Sequence, residues 1–324
     1  MDLDKLIIYR NGSLVPYAES KVGILAHGLN YGTGCFEGIR GYWNAKSDQL
    51  YFFRLLEHYE RLANSAKLLL MDLPESPERL CARTAELARA NGFRCDLYIR
   101  PLAYKSAEEI GVRLHNVTHD FTITEVPHKA YFDSTAGLRA SVSSWRRIDD
   151  NVAPARAKLT GVYVNSALAK TEAVSNGFDE AIMLNAEGHV AEGSAQNIFI
   201  VRSGVAYTPP VSDGILEGIT RRTIIELCQR ELNIEVVERS IDRSELYIAD
   251  EVFLVGTAVE VAPVIEVDHR PIANGKVGPK ATALREIYRK ATLGDLVGYR
   301  HWLTPTYDST AAAKIQQAER AAAT

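Results

Sequence analysis

The sequence predicts an α/β protein of two domains, and three observations carry that expectation. Its 324 residues are 46% hydrophobic, enough for a large buried core and for about two domains of ~150 residues each. Strand-like apolar runs alternate with runs of helical period along most of the chain. Near the middle, KAYFDSTAGL follows neither period. That break sets residues 1–128 as a smaller N-terminal domain, 129–137 as a linker, 138–300 as a larger C-terminal domain and 301–324 as a tail.

The elements can be justified in chain order. LIIYRNGSLV reads as a hairpin closed by Asn11-Gly12, because that pair accepts the positive φ angles of a two-residue turn. Leu55, Tyr59, Leu62, Ala66 and Leu69 then recur at helical period, and Ser76-Pro77 opens a second helix that Gly92 can close. LYIRPLAY and DFTITEVP read as strands. Past the linker come a strand in LRASVSSW, a helix from Val162 to Asn176 stopped by Gly177, strands EAIML and NIFIV, and a helix after Thr220. Strands and helices alternate further to residue 292. The tail DSTAAAKIQQAERAAAT has no large apolar face and reads as a peripheral or frayed helix.

Composition narrows the function. A formal net charge of -4 offers no broad cationic face to nucleic acid or to an anionic membrane. No apolar run reaches the ~18 residues of a membrane span, and MDLDKLIIYRNG carries no leader pattern, so a cytoplasmic location is expected. Cys35, Cys81, Cys95 and Cys228 are scattered, as reduced thiols would be. His115 and His119 have helix-face spacing but sit in the turn-like LHNVTHDF, so no metal site is expected. Gly32, Gly34 and Gly38 are spaced GxGxxxG, which misses the dinucleotide fingerprint.

One long run is informative: AKLTGVYVNSALAKTEAVSNGFDEAIMLNAEGHVAEGSAQNIF, residues 157 to 199. With HGLNYGTGCFEGIRGY from His27, LEGITR from Leu216 and GTAVEVAPV from Gly256, it resembles the branched-chain amino acid aminotransferases, in the same chain order and from residue 5 to residue 300. The resemblance implies a two-domain D-amino-acid-aminotransferase-like fold, that of the fold type IV pyridoxal-phosphate enzymes, with the cofactor at the domain interface. It also implies a homodimer, or an oligomer of dimers, whose loops complete each pocket. The implied reaction moves an amino group between L-leucine, L-isoleucine or L-valine and 2-oxoglutarate. Pyridoxal 5'-phosphate is the implied cofactor, and amino acids and 2-oxo acids are the small-molecule partners.

Each residue type in these runs suits a task of transamination. Lys158 is the implied catalytic residue, an amine that forms a Schiff base with the cofactor aldehyde and then moves a proton. Glu192 would keep the pyridine nitrogen protonated, and Tyr163 would bond the ring phenolate oxygen. A solvent-facing turn carboxylate and a half-buried helix aromatic are the plainer alternatives for these two. Gly218, Ile219 and Thr220 precede a helix whose positive end suits a phosphate, although Thr220 could simply be an N-cap. Arg61, Asn197, Leu216, Gly256 and Thr257 complete the implied cofactor contacts. For the substrate, the resemblance implies Tyr98 and Arg100, on one strand face, with the Thr257-Ala258 amides at the carboxylate. Tyr31, Phe36, Gly38, Ile110 and Val112 would line the aliphatic side chain.

The pattern departs from the family in places. KSAEEIGVRLHN, residues 105 to 116, is more charged than the family's usual loop, and Arg113 could meet a second carboxylate. Ala195-Gln196 stands where Gly-Glu is usual, and Val259 where alanine is common. An (R)-amine:pyruvate transaminase or a D-amino acid aminotransferase would keep Lys158 and Glu192 and change the pocket loops. A silent cofactor-binding protein and a cofactor-free Schiff-base lyase are the readings of another class.

Overall fold

The computed structural model describes residues 3–128 and 136–307. Residues 129–135 of the expected linker and the 308–324 tail lie outside the described residues. Two mixed layers organise the rest. An eight-stranded sheet holds the strands from Ile7–Arg10 to His119–Pro127, and Leu303–Pro305 returns to its edge beside Gln49–Phe53. A nine-stranded sheet holds the strands from Leu138–Val142 to Arg270–Pro271. Most pairs are antiparallel, but Leu138–Val142 runs parallel to both of its neighbours, Glu180–Leu184 and Glu260–Val267.

Local chemistry explains the element boundaries. The first hairpin turns through Asn11 at φ 46° and Gly12 at φ 98°, the left-handed values a tight turn needs. The helix Pro77–Ala90 begins under Ser76, whose hydroxyl accepts the Arg79 N–H, a cap worth about 1 kcal/mol. The helix Tyr163–Ser175 ends where Gly177 takes φ 81°. The helix Leu55–Leu68 buries Leu55, Tyr59, Leu62 and Ala66 at helical spacing, and puts His58 and Ser65 on that same buried face.

Core packing then ties the halves together. Leu55, Tyr59 and Leu62 pack with Leu80, Phe121 and Ile123 under the first sheet, and Ala157, Leu159 and Val162 join that cluster from far along the chain. A second cluster takes Tyr42 and Phe53 from the first sheet and Phe199, Phe253, Leu284 and Tyr288 from the second sheet and the helix Pro279–Thr292. The two sheets therefore share apolar interior. No helix of the described residues is long and apolar enough to cross a membrane.

Candidate active site

Lys158 owes its position to its neighbours. Ala157 and Leu159 are buried in the first core, so the lysine between them projects the other way. Its carbonyl accepts the Phe36 N–H at 3.0 Å, and Thr160 and Gly161 continue the pairing onto the Gly34 and Gly32 carbonyls at 2.8 and 3.1 Å. Gly32, at φ 66°, lies so near that a Cβ there would stand 2.7 Å from the Gly161 Cα, and glycine is required. Ser65 Oγ accepts the Lys158 N–H at 3.3 Å. At the far end of the side chain, Nζ donates to the Tyr163 hydroxyl at 2.8 Å.

That amine opens into a cavity between the sheets. Arg61, Tyr163, Glu192, Asn197, Leu216, Gly218, Ile219, Thr220, Gly256 and Thr257 all line it with Lys158. The residues expected to hold a cofactor are therefore brought to one place. Glu192 is buried there, with Asn197 Nδ2 donating to Oε2 at 3.0 Å and the Leu216 N–H approaching both oxygens at 3.3 to 3.4 Å. Burial pushes its carboxyl above the usual range, against the pull of Arg147, the Leu216 amide and Lys158.

The helix Ile219–Glu231 starts at the cavity wall with Gly218 as N-cap and no side-chain cap. Thr220 is thus inside the first turn and not the cap residue. The first-turn N–H groups, left uncapped by a side chain, and the positive end of the helix suit a phosphate. A Cβ on Gly218 would fall 1.8 Å from Asn197 Oδ1, so only glycine lets the backbone approach this closely. Arg61 braces the same corner through Nη1, which donates to the Glu217 carbonyl at 2.9 Å. A buried carboxylate, an amine and a helix N-terminus around one cavity fit a phosphorylated, electron-withdrawing aldehyde such as pyridoxal phosphate.

Beside the cavity, the Phe36 ring centroid is 5.3 Å from Lys158 Nζ and 4.8 Å from the Tyr163 ring. The Arg100 guanidinium lies 4.3 Å over Phe36 and donates to the Tyr98 hydroxyl at 2.9 Å, so these two do share a strand face. Gly38 makes room for them, since a Cβ there would meet that hydroxyl at 2.3 Å. Ala258 follows Thr257 in the turn after the strand Glu251–Gly256. Tyr31, Ile110 and Val112 gather elsewhere: the Gly111 N–H donates to the Tyr31 hydroxyl at 3.2 Å, and Ile110 and Val112 are 87% and 79% exposed.

Some functional partners escaped the sequence. Glu37, fully buried, accepts from Arg61 Nε at 2.7 Å and Nη2 at 2.8 Å, and pairs with His58 Nδ1 at 2.8 Å. Burial alone would raise its carboxyl, yet Arg61 and His58 hold it well below the usual carboxylate range. A carboxylate inside the glycine and apolar run GCFEGI, and polar His58 and Ser65 on an apolar helix stripe, were the available signals. Arg147, whose Nε is 2.7 Å from Glu192 Oε1, sits in SSWRRID with no such signal.

Comparison with known proteins agrees with this geometry. Residues 34–267 match the family model described as amino-transferase class IV. A relative named "Probable branched-chain-amino-acid aminotransferase", from Aquifex aeolicus (strain VF5), is 51% identical over 297 residues, 92% of this chain and 96% of its own length. The branched-chain aminotransferase of Thermoproteus uzoniensis, solved with norvaline, superposes with a TM-score of 0.89 at 49% identity, covering 93% of this chain and 99% of that one. The branched-chain amino acid aminotransferase of Thermobaculum terrenum, solved in its PLP-bound holo-form, gives a TM-score of 0.88 at 40% identity over 93% of this chain and 98% of that one.

Proposed function

Since this chain belongs to the class IV aminotransferases, we propose that it moves an amino group reversibly between L-leucine, L-isoleucine or L-valine and 2-oxoglutarate, with pyridoxal 5'-phosphate as cofactor. The observation that carries the reading is the convergence of Lys158 Nζ, the Tyr163 hydroxyl, the Glu192 carboxylate and an uncapped helix N-terminus on one cavity. When bound, the cofactor supplies an aldehyde to join to an amine and a ring that draws electrons from the substrate α-carbon.

The chain's own residues do the rest. Lys158 Nζ anchors the cofactor and, once displaced by the substrate amine, carries the proton taken from the α-carbon. Glu192 offers negative charge to the ring nitrogen. Tyr163 would offer its hydroxyl to the ring oxygen of the bound cofactor. Gly218, Ile219 and Thr220 with Arg61 hold the phosphate, while Asn197 and Leu216 keep Glu192 in place. Tyr98, Arg100 and the Thr257-Ala258 amides take the substrate carboxylate, and Phe36 walls the aliphatic side chain.

Two further parts of the reading concern setting. A second copy of this chain would cover Ile24, Leu29, Ile110 and Val112, each at least 60% exposed, and so form the dimer. A cytoplasmic location suits the four free thiols.

Borohydride reduction of the purified protein followed by peptide mapping tests the anchor, and label is expected on Lys158. Following the visible spectrum with L-leucine, D-alanine and (R)-1-phenylethylamine tests the donor. Reaction with L-leucine alone supports the assignment; reaction with only the (R)-amine or D-alanine replaces it with the alternative transaminases.

A further inference from the structure

Arg147 stands outside every role assigned so far, although it touches the buried Glu192 carboxylate. Its backbone N–H donates to the Leu184 carbonyl at 2.7 Å, which seats it beside the strand Glu180–Leu184. Its side chain is 9% exposed, with Nε 2.7 Å from Glu192 Oε1. Asn197 and Leu216 supply further hydrogen bonds to the same carboxylate, and Arg147 is the cation nearest to it. Arg147 also lines a second cavity, walled by Asp149, Asp150 and Asp213, and thereby forms the partition between the two.

Three cations face Glu192: Arg147, Lys158 and Arg61. Two of them are engaged elsewhere, since Lys158 donates to Tyr163 and the Arg61 fork closes on Glu37. Lys158 would also alternate between a nitrogen bonded to the cofactor and a free amine, so its charge would not be constant through the cycle. A carboxylate shut away from water without a steady counter-charge takes up a proton, and a neutral acid no longer favours a protonated ring nitrogen.

We propose that Arg147 is a positioning residue for amino transfer, acting through Glu192: it keeps that carboxylate charged throughout the cycle, and it does so from the cavity wall without touching substrate. The inference rests on Lys158 being the cofactor lysine. It differs from a purely structural role, because the charge of Arg147 matters to the reaction only while position 192 is a carboxylate.

The test uses R147M, R147K, E192Q and R147M/E192Q. Borohydride labelling of the wild-type protein comes first, and a blank at Lys158 sinks the reading of the site and leaves the ion pair untouched. With the label in place, R147M is expected to lower kcat by roughly 10²-fold, the scale of losing one preorganised electrostatic partner, with KM little changed. The visible band of its bound cofactor should also change with pH at a different point from wild type. R147K should restore most of both, and R147M should add nothing in the E192Q background. The apoprotein gives a cofactor-free check: a protonated-carboxyl infrared band present in R147M, absent from wild type and absent from R147M/E192Q. A wild-type spectrum and kcat in R147M overturn the proposal, as does an equal loss in the E192Q background. Should R147M fail to fold, R147K and R147M/E192Q carry the test: a kcat and a cofactor-band pH response in R147M/E192Q equal to those of E192Q alone support the proposal, and a further loss beyond E192Q overturns it.

Discussion

The cavity around Lys158 and the 106–116 loop are held on different terms. In the cavity, Lys158, Tyr163, Glu192 and Arg61 each find partners within the same chain, with Arg61 and Tyr163 on helices, Glu192 on a strand and the Lys158 carbonyl paired to the Phe36 N–H. In the loop, Ile110 and Val112 turn apolar surface to solvent, while the restraints fall mainly at its ends: the Ser106 N–H on the Thr118 carbonyl, the His27 N–H on the Ala107 carbonyl, a bridge of Glu108 to Ala26, and Leu114 against the first core, with Gly111 on Tyr31 between them. Exposed apolar surface is unfavourable until something covers it. On the proposed reading, the chemistry is built at the level of the single fold, whereas the side-chain wall waits on a second copy of the chain.

The sharpest way to break that comparison is at the amine. Lys158→Ala is expected to lower transfer on the order of 10⁴-fold and to let the cofactor dialyse away, with thermal unfolding of the apoprotein unchanged. Retained covalent cofactor in that variant would mean that another lysine holds it.

Next in size is Glu37→Leu, which leaves Arg61 buried without its bidentate partner. Breaking such a pair from one side costs about 3–5 kcal/mol, readable by urea unfolding at neutral pH. The sign with pH follows from the depressed carboxyl. Wild type carries the stabilisation in full above the ordinary carboxylate range and loses it as pH falls through that range and below. The gap between wild type and variant should therefore narrow in acid. A gap that widens there would sink the account.

These two tests also mark how far the sequence could be read. Turn and cap chemistry is local, so Asn11-Gly12, Ser76-Pro77 and Gly177 announced their boundaries. The lysine, the glutamate and the uncapped helix start were legible because each lies in a run that resembles a family. What stayed hidden are meetings between distant segments. Glu37 with Arg61 and His58, Arg147 with Glu192, and the backbone pairing of Lys158 onto Phe36 join residues that no period or spacing relates. The tail segment hid another, for Leu303–Pro305 pairs with Gln49–Phe53 across most of the chain.

Glu125 sharpens the comparison from inside. It is fully buried in the first domain's core, and among the described residues neither oxygen has a hydrogen-bond partner. Burial holds its carboxyl well above the usual value, so the folded protein keeps a proton that the unfolded chain releases above about pH 4. Stability therefore falls as pH rises through and beyond that value. Glu125→Met should stabilise by about 1–3 kcal/mol at pH 7, with a gain that grows between pH 5 and pH 8 in urea titrations. A gain that stays flat with pH would show a carboxyl with an ordinary affinity for its proton.

The smallest expected effect belongs to the loop, and it is the one that separates the two levels. Ile110→Ala and Val112→Ala remove methyl groups from surface that the single chain leaves open, so stability should hardly move. If that surface walls a substrate pocket, each truncation costs roughly 1–3 kcal/mol of discrimination, seen as a higher KM for L-leucine with the cofactor spectrum unchanged. Mixing decides whose pocket it is. Lys158→Ala protein keeps the loop and lacks the amine; Ile110→Asp protein keeps the amine and lacks the apolar loop. After subunit exchange, a mixed dimer would hold one intact site only if the loop of one copy serves the cavity of the other. Recovery of low-KM activity from two impaired proteins is the expected result, and no recovery would return the loop to its own chain's cavity or to none.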